Sequence, residues 1–126
     1  MELYFGGAYN GKLRYIKEIL NINDEDIFYC SSGEIDFSKK VISGIDKLIY
    51  NNTLEGKSSL IYFKENLHNL RGKILICDDI SSGIVPIEKE DRKWREETGR
   101  VLQLLTKESN KVCRIFCGLP MVLKDE

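Results

Sequence analysis

Leu3-Tyr4-Phe5-Gly6-Gly7-Ala8-Tyr9-Asn10-Gly11-Lys12-Leu13 begins as a short apolar run, breaks at two glycines and resumes as a helical pattern. Leu13, Ile16 and Leu20 fall on one helical face, with Lys12, Arg14, Lys17 and Glu18 mostly off it. The same alternation of strand and helix continues along the chain. After the turn signal Asp24-Glu25-Asp26, Ile27-Phe28-Tyr29-Cys30 reads as a strand closed by Ser31-Ser32-Gly33. A helix is expected from Asp36, a good N-cap residue, with Val41, Ile45 and Leu48 on one face, flanked by Ile42 and Ile49. Another runs from about Ser58, with Leu60, Phe63, Leu67 and Leu70 aligned and Gly72 as its stop. Ile74-Leu75-Ile76-Cys77 is apolar on both faces, which suits the centre of a parallel sheet, and it ends in Asp78-Asp79. A helix over roughly 88–108 carries Trp94, Thr98, Val101 and Leu105 on one face; Val112 to Cys117 is the last strand, and Gly118-Leu119-Pro120 turns away from it.

Strands alternating with helices predict an α/β fold, a mainly parallel sheet flanked by helices in three layers. Ligands in such sheets bind beyond the carboxyl ends of the strands, which selects the loops 6–12, 31–36 and 78–86. With 126 residues, no internal repeat, no low-complexity tract and two prolines, residues 1–126 read as a single domain. Nineteen basic residues against twenty acidic ones leave no global field to attract nucleic acid or an anionic membrane. No window approaches the ~20 apolar residues of a membrane span, and the N-terminus lacks the basic and apolar regions of a secretory signal. The expected compartment is the cytoplasm, where four cysteines are reduced thiols. Cys113 and Cys117, four apart on one strand at ~3.3 Å per residue, are expected on one face ~13 Å apart, too far to bridge. Cys30 and Cys77 both end strands and are expected near one another as small buried hydrophobes.

Gly6 to Leu13 nearly fits G-x-x-x-x-G-K-[ST]. Glycines let the backbone wrap a phosphate with its N–H groups inward, and the following helix adds its positive N-terminal end. The lysine neutralises β- and γ-phosphates, and the hydroxyl after it binds Mg²⁺. Gly6, Gly7, Ala8, Tyr9, Asn10, Gly11, Lys12 and Leu13 are therefore the candidate nucleotide loop, with Lys12 as its cation. Leu13 stands where the hydroxyl belongs, and a leucine cannot ligate a metal. The other reading is an ordinary strand-to-helix turn whose Leu13 joins Ile16 on the apolar face.

The loop, Asp78-Asp79-Ile80-Ser81-Ser82-Gly83-Ile84-Val85-Pro86 and Trp94-Arg95-Glu96-Glu97-Thr98-Gly99-Arg100-Val101-Leu102-Gln103 together resemble the adenosylcobinamide kinase/adenosylcobinamide-phosphate guanylyltransferase family of cobalamin biosynthesis. That family has G-G-x-R-S-G-K-S, N-E-V-G-x-G-I-V-P and F-R-D-x-x-G-x-x-N-Q segments in this order. The resemblance covers residues 1–20 and 72–118. It implies a P-loop (RecA-like) fold and GTP or ATP with Mg²⁺. It also implies phosphorylation of the aminopropanol hydroxyl of adenosylcobinamide, a corrinoid pathway in the cytoplasm, and a homo-oligomer. The departures count as much as the match. The chain is short by about one strand–helix unit between the first helix and Ile27, the region that carries the family's nucleotidylated histidine. Nothing maps that histidine onto His68, the only one here, which reads as a solvent-facing helical residue. The guanylyltransferase half-reaction is expected to be lost, and the kinase half rests on Lys12, the glycines, Asp79, Arg95 and Gln103.

Asp79 matches the family acid and is the candidate to hold Mg²⁺ or orient the acceptor hydroxyl; the plain alternative for Asp78 and Asp79 is a turn cap. Arg95 is a planar fork donor placed to reach a phosphate, or else a surface ion-pair partner of Asp91, Glu96 or Glu97. Trp94 reads as core. Three readings remain: a minimal cobinamide kinase, a catalytically decayed nucleotide- or corrinoid-binding protein acting as regulator or partner subunit, or a small α/β domain with no ligand.

Overall fold

The computed structural model describes residues 1–7, 11–80 and 89–126. Ala8, Tyr9 and Asn10 of the glycine loop, and the Ser81–Pro86 segment, therefore lie outside the described residues. Ten elements follow in order: β1 (Glu2–Gly6), α1 (Lys12–Ile19), β2 (Ile27–Tyr29), β3 (Val41–Ser43), α2 (Ile45–Leu54), α3 (Ser59–Glu65), β4 (Ile74–Asp78), α4 (Lys89–Glu108), β5 (Lys111–Phe116) and β6 (Leu119–Asp125). The six strands form one sheet in the order β2-β3-β4-β1-β5-β6. The first five run parallel, and β6 pairs antiparallel with β5.

Side chains alternate across this sheet with period two and so feed two cores. Leu3, Ile42, Leu75, Cys77 and Val112 face one side, where they meet Ile45, Leu48 and Ile49 of α2, Phe63 of α3, and Val101 and Leu105 of α4. Tyr4, Ile27, Val41, Ile74, Ile76, Cys113 and Ile115 face the other, where α1 covers them with Ile16. The two-faced apolar run of β4 is explained by its place between β1 and β3. Trp94 belongs to the first core, edge-on to Tyr50 at 4.9 Å. The expected α/β architecture with helices on both faces is the observed one.

Four local expectations are corrected. Asp36 starts no helix: its carboxylate accepts from the Ser38 backbone N–H (3.0 Å) and hydroxyl (2.6 Å), closing a local turn. Val41 and Ile42 form β3 instead, and α2 begins only after Gly44. Their helical spacing with Ile45 and Leu48 was coincidental; a central strand is apolar at consecutive positions because both its faces are covered. The chain also does not turn away after Gly118. Cys117 and Gly118 both take positive φ, 50° and 77°, as a two-residue type I′ hairpin turn requires, and β6 folds back along β5. Cys117 thus lies beyond the strand and is exposed, whereas Cys113 is buried, so the two do not share a face. The helix from Ser58 keeps its expected cap, Ser58 Oγ accepting from Ile61 N–H, but ends at Glu65 and passes into a 3₁₀ turn, Leu67–Leu70.

Cys30, Cys77, Cys113 and Cys117 are all free thiols, the first three buried. Burial pushes the Cys30 thiol up to about 12 and holds Cys77 well above the usual thiol range, with Asp46 adding to both. A thiol-specific reagent applied to the folded protein should therefore modify one cysteine per chain, Cys117, and four after denaturation. Early modification of Cys30 or Cys77 would contradict this packing.

Candidate active site

Two glycines shape the ends of the loop after β1. At Gly6 a Cβ would collide with the carbonyl oxygen of Ile115 on neighbouring β5, so no larger residue fits between these strands. Gly11 is the N-cap of α1 and takes φ 82°, a left-handed conformation that L side chains rarely adopt. Among the described residues no side chain caps that helix end. The N-terminus of α2 repeats the arrangement, with Gly44 as a left-handed N-cap and no side-chain cap bond.

Lys12, the first residue of α1, is 6% exposed. Its Nζ lies 2.6 Å from Asp78 Oδ1 and donates to the Gly7 carbonyl at 2.8 Å. A buried ammonium requires such partners, because water no longer solvates it. Asp78 is the last residue of β4, and the side chain is about one-third exposed. β1 and β4 are parallel neighbours in register, Gly6 opposite Asp78, which brings the loop lysine and the strand-end acid together. The Asp79 backbone N–H donates to the Gly6 carbonyl at 2.7 Å and locks the two strand ends.

A cleft of about 320 Å³ opens beside this pair, lined by Gly11, Lys12, Tyr29, Ser43, Asp46 and Asp78 among others. It lies at the carboxyl ends of β2, β3 and β4, where the parallel order predicts a ligand site. Burial raises the Asp46 carboxyl above the usual carboxylate range; the Asp78 N–H pulls it down and the Asp78 charge pushes it up.

Of the sequence-selected residues, the structure brings together Gly6, Gly7, Gly11, Lys12 and the Asp78-Asp79 strand end. Leu13 is half-buried and packs against the core of Tyr4 and Ile16. Asp79 and Arg95 are half-buried, and neither is among the described residues lining the cleft. The carboxylate on Lys12 is that of Asp78, brought there by the parallel register with Gly6. Asp46 was missed altogether, because a strand was read as part of its helix. His68 is exposed beside a separate 250 Å³ hollow with Met1 and Gly72, at the amino ends of the strands.

Asp46 sets a pH dependence of known sign. A carboxyl whose folded value is raised binds its proton more tightly when folded, so its contribution is full below the unfolded value and lost as pH rises through the folded one. Asp46→Asn should therefore gain stability relative to the parent between pH 4 and pH 7, a relative rise of a few degrees in Tm. Thermal unfolding of both proteins at the two pH values checks this; a relative fall would contradict it.

The chain was compared with known proteins. None of the curated proteins matches it. Residues 45–123, more than half of the chain, match the family described as cobinamide kinase / cobinamide phosphate guanyltransferase (CobU). The match takes in α2, α3, the Gly83-Ile84-Val85-Pro86 stretch and α4, and leaves out the glycine loop. Among the described residues, no helix is long and apolar enough to cross a membrane. With an α/β P-loop-like sheet and this match over most of its length, the chain belongs to the cobinamide kinase / cobinamide phosphate guanyltransferase family, a family of cobalamin biosynthesis.

Proposed function

We propose that the chain is a nucleotide-dependent kinase acting on the aminopropanol hydroxyl of a cobinamide-type corrinoid, without the guanylyl-transfer half-reaction of its family. The observation that carries this reading is the buried Lys12, held 2.6 Å from Asp78 at the mouth of a cleft. Among the described residues its partners are one carboxylate and one carbonyl, both of which a phosphate can replace.

The residues fit GTP or ATP with Mg²⁺. Gly6, Gly7 and Gly11 with the uncapped start of α1 suit a polyphosphate. Mg²⁺ takes one or two carboxylates together with substrate phosphates, and Asp78 and Asp79 offer hard oxygen donors at the strand end. When bound, the ion supplies positive charge to the β- and γ-phosphates. Lys12 neutralises the charge that spreads over the transferring phosphoryl group, and the loop N–H groups cradle it. The acceptor hydroxyl oxygen bonds to the γ-phosphorus as the γ-phosphorus–bridging oxygen bond breaks, the bridging oxygen leaving with the nucleoside diphosphate and the hydroxyl proton passing to solvent. Asp79 orients that hydroxyl or holds the ion, and Arg95 serves as a phosphate contact. The loss of guanylyl transfer is supported by His68, the only histidine of the chain, which sits at the amino ends of the strands, opposite Lys12. The reading is completed by one P-loop-like domain over residues 1–126, a homo-oligomer and a cytoplasmic location.

A second reading is favoured by one observation. Leu13 lies against an apolar core at the position of the metal-binding hydroxyl. A chain so altered would hold nucleotide or corrinoid as a regulator or partner subunit without turnover. Incubation with Mg²⁺, GTP or ATP, and cobinamide separates the two. The kinase reading predicts cobinamide phosphate by mass, with neither GDP-cobinamide nor protein-bound GMP. Nucleotide binding with no phosphorylated product would leave the second reading standing and overturn the first.

A further inference from the structure

The β3–β4 ladder stops at a defined point. Gly44 N–H donates to the Ile76 carbonyl at 3.1 Å, and the next donor along β4 is the N–H of Asp78. In a longer β3 the Gly44 carbonyl would receive it. Here that carbonyl accepts instead from Lys47 N–H at 2.9 Å, in the first turn of α2. The acceptor comes from a side chain: Asp46 Oδ1 takes the Asp78 N–H at 3.0 Å. Asp46 is the second residue of α2 and 5% exposed. Its backbone carbonyl accepts from Trp94 Nε1 at 2.8 Å, so α4 braces the same residue.

We infer that Asp46 is a positioning residue for the Lys12–Asp78 pair, its side-chain oxygen standing in for the missing strand neighbour and fixing the Asp78 backbone so that the carboxylate meets Lys12. It acts through Asp78. Its use in catalysis rests on the reading of Lys12 as the phosphate cation; the positioning itself does not. Asp78 is then held at three points: its N–H by Asp46, its carboxylate by Lys12, and the following N–H by Gly6. Hydrogen bonding by Asp46 fits this role better than its charge, because burial and the neighbouring Asp78 charge disfavour the ionised form of Asp46.

The test compares Asp46→Asn, which keeps an acceptor oxygen in place, with Asp46→Glu, which keeps the charge but moves the acceptor by one methylene. Asp46→Ala is added as the full deletion. Amide exchange at Asp78 and the ¹⁵Nζ shift of Lys12 are read without nucleotide, at a temperature where each variant is folded. Mg²⁺-GTP affinity is read separately. Asp46→Asn should keep the Lys12 shift and exchange at the parent rate. Asp46→Glu and Asp46→Ala should speed Asp78 exchange by about tenfold or more and weaken Mg²⁺-GTP binding by about fivefold. A protein in which Asp46→Glu matches the parent while Asp46→Asn does not would show that charge, not position, is what Asp46 provides. Parent-like exchange and Lys12 shift in Asp46→Glu and Asp46→Asn alike would also overturn the inference. If no variant and not the parent binds GTP, the kinase reading fails, and the two nucleotide-free readouts still decide the positioning role.

Discussion

Lys12 is a buried lysine at the mouth of a cleft, and the carboxyl end of the sheet is organised around that constraint. An ammonium there needs a counter-charge and a carbonyl, and Asp78 and Gly7 supply them. For Asp78 to be in reach, β4 must lie beside β1 in parallel register, and Gly6 must let β1 approach β5 without a side chain between them. The two cores on the sheet faces hold that register, because a one-residue slip would turn Leu75 and Ile76 to the wrong sides.

The same geometry joins fold to chemistry. In the proposed reading, a buried cation held by one carboxylate and one carbonyl is what a phosphate site presents before it is filled. The left-handed N-caps at Gly11 and Gly44 leave two helix starts without side-chain caps beside one cleft, which adds favourable potential for negative charge. In the proposed reading Leu13 stands where a phosphate loop would carry a metal-binding hydroxyl. The proposed loss of guanylyl transfer accords with the one histidine, His68, lying at the amino ends of the strands.

Much of this was legible in the residues. The break at Gly6-Gly7, the two-faced apolar run of 74–77 and the stripe through Trp94, Thr98, Val101 and Leu105 are local patterns with strong physical causes, and each became the expected element. The site was legible only as far as its motif. Lys12 stood out because a lysine after Gly11 has one well-known use, but the choice between Asp78 and Asp79 depends on strand register, a tertiary fact. Asp46 left no signal, because its role exists only where β3 stops and the ladder needs a substitute acceptor. Val41 and Ile42 misled for a related reason: three-residue strands buried on both faces have too few residues to show a period. β6 was hidden by its turn, where Cys117 takes a positive φ more usual for asparagine or aspartate.

In the proposed reading Lys12 serves a phosphate. Calorimetric titration of GTP into the parent protein and into Lys12→Ala, each with and without Mg²⁺, tests it most directly. The account predicts binding that Mg²⁺ strengthens and that Lys12→Ala loses by tenfold or more, about the 1.4 kcal/mol or greater of one charge-assisted contact. Equal affinity in the two proteins, or none in the parent, would contradict it and leave Lys12 as a structural ion pair.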